Sequence, residues 1–305
     1  MLARTQSRFH DIRIRLEAYT PRTVAGRFLW EFFLFGFKQG WACLFGGILL
    51  ALLLLTKWFW PPGASLARYD FLFLSALTVQ AALLLSRMET VREAGVILVF
   101  HLIGTAMELF KTGVGSWTYP EPSFFHIAHV PLFSGFMYAS IGSYLARVTR
   151  IFDMRYAGYP RRWATVLLAV LIYANFFTHH YVPDIRVFLF LGTLLLFGPT
   201  WVYYRPYRTW RRMPLVLGFG LIALFIWFAE NIGTFTAVWL YPHQARGWEL
   251  VRIGKYGSWF LLMIISFILV TFVSPPRSPA HEIDATAAPA RNPRLGLRLP
   301  SDREA

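Results

Sequence analysis

Two acidic residues, 122 positions apart, open the same short pattern. Glu108 is followed nine residues later by Trp117-Thr118-Tyr119-Pro120, and Glu230 nine residues later by Trp239-Leu240-Tyr241-Pro242, without a gap. A carboxyl at the end of an apolar stretch is costly unless it is paired, solvated or protonated, so acids placed there are candidates for function. In a dry cleft lined by Phe, Tyr and Trp, such a group keeps a proton to deliver to an alkene or carbonyl, which is general acid/base chemistry. Glu108 and Glu230 are therefore the expected acid/base pair. Trp117, Tyr119, Trp239 and Tyr241 are the aromatic residues expected to hold a substrate. The alternative is that each carboxylate lies at headgroup depth and accepts hydrogen bonds from the loop that follows it.

Histidines extend this set. His101 precedes Glu108 by seven residues and so falls on the same helical stripe. His126 and His129, three apart, would share one face of the next helix, with Pro131 just beyond. All three join the catalytic candidates. Imidazole and carboxylate together suit zinc or iron, yet no His-Glu-x-x-His or comparably dense ligand pattern occurs, so no metal is assigned and the cofactor stays open. The single cysteine, Cys43, forms no intramolecular disulfide and reads as a packed thiol. Gly-rich phosphate loops, a Gly-x-Ser-x-Gly elbow and Asp-rich prenyl-diphosphate motifs are absent, which argues against an ATPase, a standard lipase and a prenyltransferase.

The elements that must position these residues are helices in a bilayer. Hydrophobic residues make up 56% of the 305-residue chain and charged residues only 15%, against roughly a quarter in a soluble domain. Eight stretches approach the roughly 20 apolar residues a crossing takes: residues 28–55, 71–86, 94–110, 124–148, 163–177, 185–204, 214–230 and 256–273. Seven crossings, with one short stretch re-entrant, is the rival count. The expected architecture is an all-α, polytopic bundle of eight transmembrane helices, arranged as two tandem four-helix repeats that bring both acid motifs to one surface.

Charge sets the orientation. The net charge is +14, and the basic residues lie in short loops rather than in a patch with nucleic-acid motifs, so the expected partner is the lipid bilayer and not nucleic acid. Alternate sides of the bundle hold 22 and 7 of the Lys and Arg residues, Lys38 inside the first stretch completing the 30. Both termini fall on the basic side, which places them in the cytoplasm. Residues 1–27 read as a cytoplasmic amphipathic segment with Phe9, Ile12, Leu16 and Tyr19 on one face. Residues 28–273 form the transmembrane domain, and 274–305, rich in Pro, Ala and Arg, a disordered cytoplasmic tail. Trp58, Trp60, Trp201 and Trp210 cluster near helix ends with Trp117 and Trp239, as interfacial anchors do. Within the first stretch Glu31 is expected to snorkel and Lys38 to need a partner; Gln80 and Asn175 are expected to join helices.

The run from Glu108 to Tyr144 resembles a signature of the YoaT-like family of polytopic bacterial membrane proteins, a domain of unknown function, over residues 30–273. That resemblance implies the membrane architecture and no activity. Glu108, Trp117, Tyr119 and Val130-Pro131-Leu132 are also similar in outline to carotenoid hydratases and small lycopene cyclases. Phe133 and Ser134 stand where the cyclases carry paired acids. Three functions follow: an enzyme modifying a lipid or isoprenoid substrate through Glu108 and Glu230, a small-solute transporter or channel, and a non-catalytic scaffold.

Overall fold

The computed structural model describes residues 19–279. The Phe9, Ile12 and Leu16 face and the tail from residue 280 onward lie outside those residues. The first helix, α1 (Val24–Ala42), begins where the Thr23 hydroxyl accepts from the Gly26 amide at 3.0 Å. It does not run on to residue 55. It breaks at Cys43, and α2 (Leu44–Phe59) departs at a bend of 72°. A break in a helix frees carbonyls that hydrocarbon cannot satisfy. Here Arg147 supplies the missing donor, its Nη2 lying 2.8 Å from the Trp41 carbonyl. Cys43, expected to be packed, is instead exposed at this corner, where it lines a cavity.

Among the described residues seven α-helices follow: α3 (Arg68–Leu85), α4 (Val91–Gly113), α5 (Phe133–Ile151), α6 (Arg162–Thr178), α7 (Arg186–Phe197), α8 (Leu215–Phe235) and α9 (Gly254–Val273). Among the described residues, α3, α4, α8 and α9 are long and apolar enough to cross a membrane, and the bent α1–α2 pair makes a fifth. Helices α6 and α7 are apolar but shorter, at 17 and 12 residues. A capping box starts α4, with the Thr90 hydroxyl and the Glu93 carboxylate each holding the other's backbone amide. Helix α5 packs most extensively on α4. The two approach through glycine: a Cβ added at Gly142 would meet the Phe100 ring at 2.8 Å.

Two segments expected to be helical are not. Residues 124–132 form a hairpin, β1 (His126–Ile127) with β2 (Val130–Pro131), so α5 starts only at Phe133. The cause is Asp70, whose carboxylate takes the Phe124 and Phe125 amides at 2.9 Å and the Ser123 hydroxyl at 2.8 Å. The end of the expected 185–204 stretch is likewise a strand. Trp201-Val202-Tyr203-Tyr204, aromatic and β-branched, forms β4 (Trp201–Tyr204) between β3 (Arg155–Ala157) and β5 (Arg211–Pro214) in an antiparallel sheet. The outer edge of β3 is also occupied, the Tyr156 amide donating to the Arg277 carbonyl at 2.8 Å. This sheet closes one end of the bundle, and the α4–α5 and α8–α9 loops close the other.

At the sheet end Lys38 has the partner it was expected to need, and Glu31, expected to snorkel, is held in an ion pair. Glu31 accepts from Arg211 at 2.6 and 2.8 Å, and Lys38 reaches the Arg205 carbonyl at 3.4 Å. Gln80 and Asn175, expected to join helices, each hold a loop instead: Gln80 donates to Glu89 in the α3–α4 loop at 2.7 Å, and Asn175 clasps the α6–α7 loop through Asp184 and the Ile185 amide. Glu89 is 2% and Arg147 1% exposed; they stand 3.7 Å apart, with Ser143 donating to Glu89 at 2.5 Å. Arg147→Met leaves Glu89 buried without a countercharge, at a cost of about 3–5 kcal/mol. Unfolding in detergent should show that loss, with most of it recovered by Glu89→Gln in the same chain. A single variant as stable as the parent would remove the pair from the structural account.

Candidate functional site

Glu108 lies near the end of α4 and Glu230 near the end of α8, at 4% and 6% exposure. The segments that leave the two helices meet as an antiparallel bridge. Thr118 and Leu240, the central residues of the two Trp-x-Tyr triplets, exchange backbone hydrogen bonds of 3.0 and 2.9 Å. Both motifs therefore sit at the same end of the bundle, side by side.

Each acid is met by its own downstream segment. The Trp117 indole and Tyr119 hydroxyl each donate to Glu108 Oε2 at 2.7 Å. The Trp239 indole donates to Glu230 Oε1 at 3.1 Å, and the Tyr241 hydroxyl donates to the same oxygen. The spacing works because the chain reverses just after each helix. Gly115 has φ +72° and Ala237, at the same place in its copy, φ +55°. For alanine that left-handed conformation costs about 1–2 kcal/mol, which the buried hydrogen bonds must offset. Burial first, and then the adjacent carboxylate, push the Tyr119 and Tyr241 hydroxyls well above the usual phenol range. Both consequently remain hydrogen-bond donors.

The two halves of the site differ. Tyr138 on α5 donates to Glu108 Oε1 at 2.7 Å, so both Glu108 oxygens are occupied. Glu230 Oε2 accepts no hydrogen bond from the described residues. Lys255, at the start of α9, holds its ammonium 4.4 Å from the Tyr241 ring centroid and 5.1 Å from that of Trp117. It makes no side-chain hydrogen bond or ion pair among the described residues. At the 122-residue offset, Tyr138 corresponds to Phe260 and Lys255 to Phe133. That comparison, extended past the Trp-x-Tyr-Pro triplets, is the signal that would have found both residues.

Glycine and the first turn of α3 hold this arrangement. A Cβ on Gly233 would stand 2.0 Å from the Trp239 ring, and one on Gly104 2.7 Å from Tyr138. The buried Arg68 guanidinium binds Glu121 at 2.8 Å and the Thr236 carbonyl at 3.1 Å, while the Tyr69 hydroxyl donates to the Val238 carbonyl at 2.7 Å. Arg68, Tyr69 and Asp70 thereby fasten both motif loops, and sequence reasoning missed all three.

Glu108, Glu230, Trp117, Tyr119, Trp239 and Tyr241 line one cavity of about 760 Å³, together with Tyr138 and Lys255. The deeply buried Trp117 and Trp239 are thus hydrogen-bond donors to the acids rather than interfacial anchors. The three histidine candidates lie elsewhere. His101 packs against Phe136 at 4.5 Å, its Nδ1 buried without a partner among the described residues. His126 is on β1 and His129 in the hairpin turn, both exposed, so they share no helix face. Among the described residues no three His, Cys, Asp or Glu side chains lie close enough together to hold a metal ion. A separate polar corner forms where Lys111 lies 2.8 Å from His180 Nε2. Burial and the Lys111 charge hold the His180 ring below the usual histidine range, in the neutral form that can accept from Lys111.

The glycine cradle supplies a local test. Gly233→Ala should displace the Trp239 indole from Glu230 and change the tryptophan emission of the folded protein, with Gly113→Ala, whose Cβ meets nothing within 4 Å, as the control. Identical spectra for both variants would show that the cradle does not set the indole.

The family model described as "Protein of unknown function (DUF817)" matches residues 31–267, which include both acids and every residue described around them. The "Uncharacterized protein YoaT" of Bacillus subtilis (strain 168) is 46% identical over 236 residues, covering 77% of this chain and 89% of that protein. No solved structure matches. The extent of both matches makes the conclusion plain: the chain belongs to the DUF817 family.

Proposed function

We propose that this protein is an integral-membrane enzyme that modifies a lipid or isoprenoid by proton transfer, with Glu230 as the acting acid/base and Glu108 as its fixed partner. The observation that carries the reading is the convergence of both carboxylates at one end of a single cavity whose walls are mostly apolar, Phe, Leu, Ile, Met and Gly predominating over scattered polar residues such as Gln39, Ser140, Tyr144, Thr149 and Ser258. A proton-transfer group needs an oxygen within reach of the substrate. Glu230 Oε2 is such an oxygen, whereas Glu108 is held by three donors. A water path, which a solute transporter or channel requires, is less well matched by walls so apolar.

The same reading includes eight crossings in two tandem halves, with the acid end outside the inner membrane of a bacterial cell and both termini inside. Three observations support it. Helix α4 packs on α5 as α8 packs on α9. The Thr118–Leu240 bridge joins equivalent positions of the two motifs. Arg155, Arg161, Arg205, Arg211 and Arg212 gather at the sheet end, away from the acids, as cytoplasmic loops do.

Profiling the lipids of membranes that contain the parent protein tests the chemistry. The parent should shift one lipid or isoprenoid class, and Glu230→Gln should reduce that shift by about 10²–10⁴-fold, the contribution of one positioned acid/base. Glu108→Gln should reduce it less. Membranes with and without the parent that match in every class would sink the enzymatic reading. For topology, in a Cys43→Ser chain, Val114→Cys and Arg246→Cys should label from one side of the membrane and Arg161→Cys from the other. Labelling of Val114→Cys and Arg246→Cys from opposite sides would end the shared-surface arrangement.

A further inference from the structure

The cavity is long as well as mostly apolar, and Gln39 and Tyr144, which line its middle, are hydrogen-bonded to each other at 3.0 Å. It follows α5 from Ser134 to Thr149, α8 from Leu215 to Glu230 and α9 from Lys255 to Phe267. At 1.5 Å of rise per residue, the α8 stretch makes a slot about 22 Å long. Its polar end is the Glu230–Lys255 corner. Its other end is closed by the sheet, through Tyr156, Val202 and Met213.

One side of the slot is unguarded. Helices α1 and α8 both line it but share no extended contact. Gly36, Gly40 and Gly47 on the bent pair, all exposed, and the buried Gly218 on α8 line the cavity on this side, and a Cβ added to any of them would meet nothing within 4 Å. Large apolar side chains flank the opening and are exposed: Phe32 and Phe33 on α1, Leu217, Leu221 and Phe225 on α8. Such a flank is suited to hydrocarbon, so the opening faces the acyl region rather than water. Cys43 stands at its edge and lines the same cavity.

The polar end constrains the head of whatever fills the slot. Glu230 Oε2 has an acceptor position unused, and the Lys255 ammonium donates to none of the described residues. A hydrocarbon would leave both unmet, an anionic head would face two carboxylates, and a cationic head would face Lys255. A hydroxyl donates one hydrogen bond and accepts another, and so satisfies both. The length follows from bond geometry: a 1.52 Å bond at about 111° advances roughly 1.25 Å per carbon, so 22 Å holds about eighteen.

We propose that the slot takes one long-chain alcohol, straight or methyl-branched, of up to about eighteen chain carbons. The alcohol enters sideways from the bilayer between α1 and α8 and places its hydroxyl between Glu230 and Lys255. The proposal rests on the lipid reading of the cavity and adds to it a head group, a length limit and a route.

Cys43, the single cysteine, reports on occupancy without any substitution. The full-length protein in nanodiscs is treated with a membrane-soluble maleimide in the presence of primary alcohols of increasing length. Protection of Cys43 should rise with length, peak near about eighteen carbons and fall for longer chains. The hydrocarbon, carboxylic acid and amine of the best length should protect about tenfold less, the factor that goes with one lost net hydrogen bond. Gly218→Leu, which fills the opening, should remove protection by every chain. If no amphiphile of any length protects, the lipid cavity itself is wrong. If chains protect without regard to length, if the hydrocarbon or acid equals the alcohol, or if Gly218→Leu changes nothing, the alcohol slot fails while the lipid cavity stands.

Discussion

A carboxylate taken out of water must be met by donors, and most of this structure can be read as the means of meeting two of them. Each acid receives an indole and a phenol from the segment that follows its own helix. Because those segments are bonded to each other through Thr118 and Leu240, the donors of one acid cannot move without disturbing those of the other. The left-handed turns at Gly115 and Ala237, the close approach at Gly104 and Gly233, and the anchorage by Arg68, Tyr69 and Asp70 all serve this constraint. A buried polar network is worth having only when its members are satisfied. Here both Glu108 oxygens are occupied, and the Glu230 oxygen that accepts nothing from the described residues points to the working group.

The asymmetry comes from two residues. At the 122-residue offset between the two motifs, Tyr138 corresponds to Phe260 and Lys255 to Phe133. One exchange adds a third donor to Glu108 and locks it. The other brings a cation near Glu230 without pairing to it. Similar surroundings are thereby turned into two environments with different chemistry, the general way in which paired carboxylates come to hold different roles.

The acid-to-aromatic signature was legible in the sequence because it is local: nine and eleven residues, with a turn between, fix which side chains can reach back. Helices α3, α4, α8 and α9 were legible because sustained apolar composition is a strong signal. The break at Cys43 was not, since the residues on both sides are uniformly apolar and the group that satisfies the freed carbonyl, Arg147, lies far along the chain. The hairpin at 126–131 depends in the same way on Asp70, which took His126 and His129 off the helix that three-residue spacing suggested. Trp201 to Tyr204 extends an apolar run, and only its pairing with 211–214 makes it a strand. Spacing along a single helix placed His101 near Glu108, but it could not show that the ring turns toward Phe136 instead.

The sheet at the far end carries one consequence for anyone handling the protein. Its outer strand is short, and the chain leaving α9 supplies the carbonyl of Arg277 to the Tyr156 amide. An uncovered strand border is a template for another chain. Trimming the carboxyl terminus back to the end of the last helix, a natural choice when a tail is clipped for crystallisation, would strip that cover and invite neighbouring molecules to stack border to border.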